Sequence, residues 1–269
     1  MVIDDRMAMG LAQHPSPYLR NDTMEVLRRL AQAYLLLWLA LPLTACAEPP
    51  SDAVLHEDLA LPYLLHSPQH GNAGAPLIVL MHGRGSDERD LYDLRSAMPA
   101  QYAVVSARAP YTMSAGHYEW FHGTEANGRL DGNPGDIAAS KVLIERFVDQ
   151  LVKRYGFDSK QVYLIGFSQG AIMSYEVALT DPGLARGIGV MSGAIFDSLV
   201  PQLKPSFAVS HLRVFISHGS VDETIPVSYA ISAEQRLHGL GIQPESHIYD
   251  GMTHEINGQS LKDLVSWLQ

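Results

Sequence analysis

The sequence predicts an α/β fold in which helices cover both faces of a mostly parallel sheet. Short, unbroken apolar runs recur along the chain, and strands that are buried on both faces have this composition. Stretches with helical periodicity separate the runs, and this alternation of strands and helices is typical of parallel sheets. The chain has 269 residues, of which 46% are apolar and 18% are charged, as in folded globular proteins.

Six apolar runs are predicted to be strands. They cover residues 77–81, 102–107, 162–165, 189–191, 214–216 and 247–249. All six runs are short, which favours strands over helices. The first, with the sequence LIVLM, is typical of a strand that is buried on both faces.

Four stretches are predicted to be helices, and each of them follows one of the strands. They cover residues 137–155, 169–180, 229–237 and 261–268. The first has an apolar stripe at helical spacing, which indicates an amphipathic helix. Functional residues of such folds lie in the loops beyond the carboxyl ends of the strands, so we expect the site there.

The first 45 residues differ from the rest and are predicted to contain an export signal. An apolar run at residues 30–45 follows Arg28-Arg29. A basic flank, a short apolar core and small residues at its end are typical of a secretory signal peptide. The run is shorter than the roughly 20 residues of a membrane span. Because polar residues precede the basic flank, Met24 is the expected true start. A core helix at the N-terminus is the alternative.

The end of the apolar run resembles the lipobox of bacterial lipoproteins. There Leu43-Thr44-Ala45 precede Cys46, which is the only cysteine of the chain. The resemblance implies that Cys46 is lipidated and that the exported protein lies at the outer membrane or in the periplasm. Ordinary cleavage at Ala45-Cys46-Ala47, without lipidation, is the alternative. The predicted organisation is a signal over residues 1–45, a tether over 46–57 and one folded domain over 58–269.

Composition and charge argue against several classes of function. The net charge is −10, from 29 acidic and 19 basic residues, which disfavours nonspecific nucleic-acid binding. A single cysteine rules out an intrachain disulfide and a zinc-finger framework. His66 and His70 have the spacing of metal ligands on a helix, but Pro68 interrupts the helix and no third ligand is apparent. We therefore expect neither a metal nor an organic cofactor.

A G-x-S-x-G motif carries the strongest functional signal. It comprises Gly166-Phe167-Ser168-Gln169-Gly170 and lies between a predicted strand and a predicted helix. That context is typical of a nucleophile elbow, in which small residues let neighbouring backbone approach closely. The serine then projects at a helix N-terminus, where the helix dipole favours developing negative charge. A helix-capping role for Ser168 is the alternative.

A catalytic serine needs a base, and an acid that orients the base. In α/β-hydrolases the acid and the histidine follow the serine in that chain order. Asp222 lies in the loop after the 214–216 strand and is the predicted acid, and the adjacent Glu223 is the competing candidate. His254 lies between the last strand and the last helix and is the predicted general base.

The loop after the first strand is the predicted oxyanion loop. Arg84 lies there between Gly83 and Gly85. α/β-Hydrolases take one oxyanion N–H from this loop and a second from the residue after the nucleophile. The expected donors are therefore the backbone N–H groups of Arg84 and Gln169. An ordinary glycine turn is the alternative.

Together these motifs resemble the phospholipase/carboxylesterase family, whose members are relatives of the acyl-protein thioesterases. The resemblance covers roughly residues 59–268 and rests on the oxyanion loop, the elbow, the acid loop and residues 253–256 (THEI). It implies an α/β-hydrolase fold without a large cap domain. Trp120-Phe121 is similar to a Trp-Phe pair that helps to line the family's substrate groove. Plain core packing of the two rings is the alternative.

Three positions depart from the family's pattern. Ala171 stands where many thioesterase-type members have glycine, and His122 where an acid is common. Thr253 stands where glycine often precedes the histidine. The predicted Ser-Asp-His triad is intact, but the family's substrates do not carry over.

The motifs and the resemblance predict an exported serine carboxylesterase that acts on small or medium acyl esters. Lysophospholipids and thioesters are further candidate substrates. Residues 110–135 are predicted to form a loop over the site that is too short for a large cap. A lipase with an interfacial lid is one alternative, and a cell-envelope binding protein that kept the fold without catalysis is another.

Overall fold

The structure is a computed structural model, which describes residues 53–126 and 129–269 of the chain. Within these ranges the chain forms eleven strands, which are β1 (Tyr63–His66), β2 (Leu77–Met81), β3 (Ala103–Ala107), β4 (Tyr111–Ser114), β5 (His117–Glu119), β6 (Gly123–Ala126), β7 (Arg129–Gly132), β8 (Val162–Phe167), β9 (Gly187–Met191), β10 (Arg213–Gly219) and β11 (Glu245–Tyr249). Seven of them form a central sheet in the order β1-β3-β2-β8-β9-β10-β11. β1 pairs with β3 in antiparallel fashion, and all other neighbours are parallel.

The helices of the described residues include all four that the sequence predicts. They are α1 (Pro134–Tyr155), α2 (Gln169–Thr180), α3 (Phe207–Ser210), α4 (Ser228–Gly239) and α5 (Gly258–Leu268), with 3-10 turns at Tyr92–Ser96 and Val200–Gln202. α1 begins where the side chain of Asn133 accepts the N–H groups of Gly135 and Asp136. It ends at Gly156, whose φ of 73° suits glycine.

Both faces of the sheet are buried beneath helices. Alternate residues of β2 point to opposite faces. Leu77, Val79 and Met81 belong to one core, which contains residues of α1, α2 and α4. Ile78 and Leu80 belong to the other core, which contains residues of α5. The predicted α/β fold, with helices on both faces of a mostly parallel sheet, is confirmed.

The prediction of a plain loop over residues 110–135 was wrong. β4 pairs with β5, and β6 pairs with β7, so this stretch contains two antiparallel two-stranded sheets. The strands have only three or four residues each and carry no apolar run. The sequence does contain one signal, because Asn127-Gly128 is a dipeptide typical of two-residue hairpin turns. The edge strand β1 was also not predicted.

The predicted signal, its lipidated Cys46 and most of the predicted tether lie outside the described residues. The residues that the structure describes, 53–126 and 129–269, all belong to one compact unit, Pro49–Gln269. Near the end of the predicted tether, His56 exchanges two backbone hydrogen bonds of 2.9 Å with Tyr63 of β1. No helix among residues 53–126 and 129–269 is long and apolar enough to cross a membrane.

Candidate active site

Ser168 lies at the sharp turn between β8 and α2. Its backbone angles are φ 53° and ψ −115°, a strained conformation for a residue with a side chain. Its N–H donates to the carbonyl oxygen of Met191 in β9 at 2.9 Å, which ties the turn to the sheet. Among the described residues, Ser192 is the only other non-glycine residue with a positive φ. A strained serine between a strand and a helix is the conformation of a nucleophile elbow.

Close backbone contacts explain the glycines around the serine. A Cβ on Gly166 would lie 2.2 Å from the carbonyl carbon of Gly170, a distance that no side chain tolerates. A Cβ on Gly83, in the loop after β2, would lie 3.5 Å from the Cβ of Ser168. The turn therefore has no room for a side chain at Gly166, and a side chain at Gly83 would be in van der Waals contact with Ser168.

Ser168, Asp222 and His254 meet at the carboxyl edge of the sheet. Nε2 of His254 lies 2.9 Å from Oγ of Ser168, and its Nδ1 lies 2.7 Å from Oδ2 of Asp222. An ionised carboxylate only accepts hydrogen bonds, so Nδ1 of His254 donates to it. Nε2 is then free to accept the proton of the serine hydroxyl. The competing acid, Glu223, is exposed, whereas Asp222 is buried.

The backbone of its own loop holds Asp222 in place. Its Oδ1 accepts the N–H groups of Thr224 at 2.9 Å and Ile225 at 2.8 Å, which leaves Oδ2 for His254. The acid loop also packs against the histidine loop, since a Cβ on Gly219 would lie 2.1 Å from a backbone oxygen of the histidine loop. These contacts set the distance between the acid and the histidine before any substrate binds.

A buried histidine, His218 of β10, lies behind the acid and was missed by sequence reasoning. Its Nε2 is 2.7 Å from the carbonyl oxygen of Ile225 and 3.5 Å from Oδ2 of Asp222. Burial lowers the pKa of His218, which keeps the ring neutral near pH 7. The ring therefore supports the acid loop without placing a positive charge beside Asp222. The sequence signal that could have identified His218 is its position at the end of β10.

The loop after β2 is anchored by another buried histidine, His82. Its Nδ1 donates to the carbonyl oxygen of Gly83 at 2.7 Å, and its Nε2 accepts the N–H of Ala109 at 3.0 Å. Burial lowers the pKa of His82, so the neutral ring fits this donor and acceptor pattern. The indole N–H of Trp120 donates to the carbonyl oxygen of His82 at 2.9 Å. Three bonds thus hold the base of the predicted oxyanion loop.

The two predicted oxyanion donors flank the elbow. Gln169 is the first residue of α2, where backbone N–H groups have no partner within the helix. Arg84 lies between Gly83, which packs against Ser168, and Gly85, whose N–H donates to the carbonyl oxygen of Tyr118 at 2.7 Å. The N–H of Gln169 is thus adjacent to the serine, and Arg84 lies one residue from the glycine that packs on it.

The side chain of Gln169 has a structural role that the sequence did not predict. Its Oε1 accepts the N–H of Trp120 at 2.6 Å, and its Nε2 donates to the carbonyl oxygen of Phe121 at 2.7 Å. The side chains of Trp120 and Phe121 are only 0% and 2% exposed. This burial favours core packing of the two rings, and their role in lining a groove stays a prediction.

Arg84, within the predicted oxyanion loop, has a charged side chain that pairs with Glu119. Its side chain is 56% exposed, and its Nε donates to Oε2 of the buried Glu119 at 2.8 Å. Exposed His122 lies beside the same carboxylate, with its Nε2 3.5 Å from Oε1 of Glu119. His122 also bonds Asp136 at 2.6 Å, and this carboxylate raises the pKa of the imidazole. Sequence reasoning missed Glu119, because its partner is 35 positions away.

No cluster of three or more His, Cys, Asp or Glu side chains that could hold a metal occurs among residues 53–126 and 129–269. His66, which was considered as a metal ligand, lies at the end of β1. The predicted lipidation site, Cys46, lies outside these ranges.

The chain matches a protein-family model and is similar to solved structures. A family model described as Phospholipase/Carboxylesterase matches residues 68–269. A solved structure described as esterase PE8 has a TM-score of 0.64 and 28% sequence identity, over 76% of this chain and 95% of that one.

Two curated relatives differ in what their names say about activity. Acyl-protein thioesterase 1 of Saccharomyces cerevisiae is 31% identical over 129 residues, which are 47% of this chain and 56% of that protein. This chain therefore spans little more than half of that relative. A probable inactive carboxylesterase of Oryza sativa subsp. japonica is 22% identical over 204 residues, which are 71% of this chain and 83% of that protein.

Proposed function

Because the chain belongs to the phospholipase/carboxylesterase family, we propose that it hydrolyses carboxylic esters with Ser168 as its nucleophile. One observation carries the proposal, namely the continuous hydrogen-bonded line from Asp222 through His254 to Ser168, with distances of 2.7 and 2.9 Å. A serine hydroxyl is a weak nucleophile by itself, and this arrangement supplies the base that activates it.

In the acylation step, Oγ of Ser168 attacks the ester carbonyl carbon while Nε2 of His254 takes the hydroxyl proton. The buried carboxylate of Asp222 stabilises the imidazolium that forms. The carbonyl oxygen becomes an oxyanion and accepts the backbone N–H groups of Arg84 and Gln169. The loss of one such donor typically costs about 10²–10³-fold in rate.

In the second half of the cycle the acyl group leaves the serine. His254 first gives its proton to the departing alcohol, which breaks the ester C–O bond. A water molecule then takes the place of the alcohol, and His254 removes its proton as it attacks the acyl-enzyme. Ser168 regains its proton, and the carboxylic acid departs.

Small or medium acyl esters are the proposed substrates, with lysophospholipids or thioesters as further candidates. The segment between β3 and α1 supports this size class, because its described residues form short hairpins and not a helical cap. Hydrolysis of p-nitrophenyl esters from acetate to palmitate by the full chain measures the preferred chain length directly.

The nucleophile is tested with Ser168→Ala and with a fluorophosphonate probe, which labels only activated serines. We expect wild type to hydrolyse esters and to be labelled, and Ser168→Ala to do neither while keeping the wild-type circular dichroism spectrum. Near-wild-type turnover by the folded variant would contradict the proposal.

An inactive binding protein is the second candidate function, and the observation that favours it is the rice relative that is named a probable inactive carboxylesterase. An intact Ser-Asp-His line argues against it, since binding needs no such line. A folded wild-type protein that resists the probe and cleaves no ester would support this second function.

We further propose that the protein is exported and anchored by a lipid on Cys46, as a lipoprotein of the outer membrane or the periplasm. The lipobox-like residues 43–46 support this location. The test is incorporation of a labelled fatty acid in a bacterial host. Wild type should be labelled and sediment with membranes, and Cys46→Ser should be unlabelled. An unlabelled wild-type protein in the soluble fraction would contradict lipid anchoring.

A further inference from the structure

A pocket lies on the sheet face that α1 and α2 cover, apart from the candidate active site. Its volume is about 270 Å³. This is at or below the small end of ligand pockets, which typically measure roughly 300–1,000 Å³. Its walls combine apolar side chains with a few polar ones. The apolar residues that line it include Pro134, Ile137, Ala138, Val142 and Leu199.

One carboxylate in this pocket is buried without a partner. Glu176 of α2 lines the pocket and is only 4% exposed. In the part of the chain that the structure describes, no hydrogen bond or ion pair reaches its carboxylate. Buried carboxylates are normally paired, because an unpaired charge away from water costs several kcal/mol. The carboxylate of Glu176 therefore has no protein partner among the described residues and faces the pocket that it lines.

The neighbouring charges do not supply that partner. Lys141 of α1 lines the pocket, but its ammonium bonds Oε1 of Glu145 at 2.7 Å. Asp131 of β7 adds a further negative charge near Glu176. The wall formed by residues 198–202 contributes Ser198, Leu199 and Gln202, none of which is titratable. The charges near Glu176 are thus the acid Asp131 and the ammonium of Lys141, which is already paired with Glu145.

We propose that this pocket binds a small primary alkylammonium ion, whose ammonium group bonds the carboxylate of Glu176. The short alkyl chain would lie against Ile137, Val142 and Leu199. An ammonium offers three N–H donors and the missing positive charge, and its compact alkyl chain suits the apolar walls. A metal ion fits less well, since Glu176 is the only carboxylate among the residues that line the pocket.

The raised pKa of Glu176 predicts how binding of the ammonium ion should depend on pH. Burial, reinforced by Asp131 and opposed by Lys141, raises the pKa of Glu176 to about 7. The carboxyl is then partly protonated near neutral pH, and the ammonium ion binds only the ionised form. Binding near pH 7 should therefore release protons, and the affinity should rise between pH 6 and pH 8.

The test measures binding of n-butylammonium chloride to the full chain by isothermal titration calorimetry at pH 6, 7 and 8. n-Butanol serves as the neutral probe of the same length. We expect saturable binding of n-butylammonium that is at least about tenfold weaker in Glu176→Gln, because a hydrogen bond to a charged group is typically worth that factor. Asp149→Asn removes an exposed acid of α1 outside the pocket and should bind as wild type does.

Two further variants separate this site from folding and from the ester chemistry. Ala138→Phe places a ring at the exposed edge of the pocket without changing a buried residue, and it should block binding. Ser168→Ala should bind n-butylammonium as wild type does, whether or not the serine is catalytic. The proposal is overturned if wild type shows no saturable binding up to pH 8. It is equally overturned if n-butanol binds as tightly, or if either Glu176→Gln or Ala138→Phe keeps full affinity.

Discussion

The backbone of Gly170 in α2 packs directly on the carbonyl oxygen of Met81 at the end of β2. A Cβ on this glycine would lie 2.0 Å from that oxygen and 2.8 Å from the carbonyl oxygen of His82. Neither atom belongs to a flexible side chain that could move aside. The helix after the elbow and the strand before the oxyanion loop are therefore in contact at their backbones.

Gly170→Ala should destabilise the protein by about 3 kcal/mol or more, the upper part of the range for overpacked sites. The added methyl group must push α2 away from β2, so hydrolysis should fall as well. Thermal unfolding followed by circular dichroism measures the first effect. Gly239→Ala in α4 is the control, because nothing lies within 4 Å of its new methyl group, and it should be neutral or slightly stabilising. Equal stability of the two variants would contradict the contact.

Replacement of Ser168 by glycine should release backbone strain. Both Ser168→Gly and Ser168→Ala lack the hydroxyl and should be inactive. Glycine adopts a φ of 53° without cost, whereas alanine keeps the strain. We expect Ser168→Gly to be more stable than Ser168→Ala by about 1 kcal/mol, or roughly 2–4 °C in Tm. Differential scanning calorimetry of the two variants measures this difference, and a lower Tm for the glycine variant would argue against strain at the elbow.

Asp222 and Glu223 are adjacent acids. Replacing each in turn therefore distinguishes the role of the predicted triad acid from the general effect of losing a negative charge. Asp222→Asn should lower kcat on the order of 10³–10⁴-fold, because the amide no longer holds His254 in the tautomer that accepts the serine proton. Glu223→Gln changes an exposed carboxylate and should leave kcat within about twofold. Steady-state hydrolysis of p-nitrophenyl butyrate compares the two, and similar losses in both variants would reject the assignment of Asp222.

Glu176 should make the protein less stable as the pH rises. Its carboxyl has an ordinary pKa of 4.5 when exposed in the unfolded chain and a pKa of about 7 in the folded protein. Between these values the folded state binds more protons, so the free energy of unfolding falls as pH increases and levels off above pH 7. The loss amounts to as much as about 3 kcal/mol.

Urea denaturation of wild type and Glu176→Gln from pH 4.5 to pH 8 measures this effect as the difference between the two curves. The stability of wild type relative to the variant should decline across the interval. Asp149→Asn, which changes an exposed acid, should show no such decline relative to wild type. A difference between wild type and Glu176→Gln that does not change with pH would contradict the raised pKa.

Much of the central sheet was predictable from the sequence, because its strands are buried on both faces. Burial on both faces produces continuous apolar runs such as residues 77–81, and a run of this kind is a local property of the chain. The strands β4 to β7 have no such run, since their stability comes from pairing with a neighbour. The pairing of short, exposed strands leaves little trace in apolar periodicity.

The candidate site likewise contains residues that could be predicted from the sequence and residues that could not. Ser168 was predictable because its elbow is built from adjacent residues, and Asp222 and His254 because their chain order and loop positions follow the strands. Glu119 was not predictable, because its contact with Arg84 joins the short strand β5 to the loop after β2. The support that His218 gives to the acid loop likewise appears only when the loop folds back on β10.

The sequence by itself determined the layered α/β fold and the elbow serine, and it limited the predicted acid to Asp222 or Glu223, because apolar runs, helical periodicity and the elbow glycines lie within short segments. Only the tertiary structure decided which acid faces His254, that Trp120 and Phe121 are buried, and that Glu176 lies unpartnered in a pocket. Burial and electrostatic pairing depend on neighbours that are remote along the chain, and local sequence patterns do not specify which remote segments will meet.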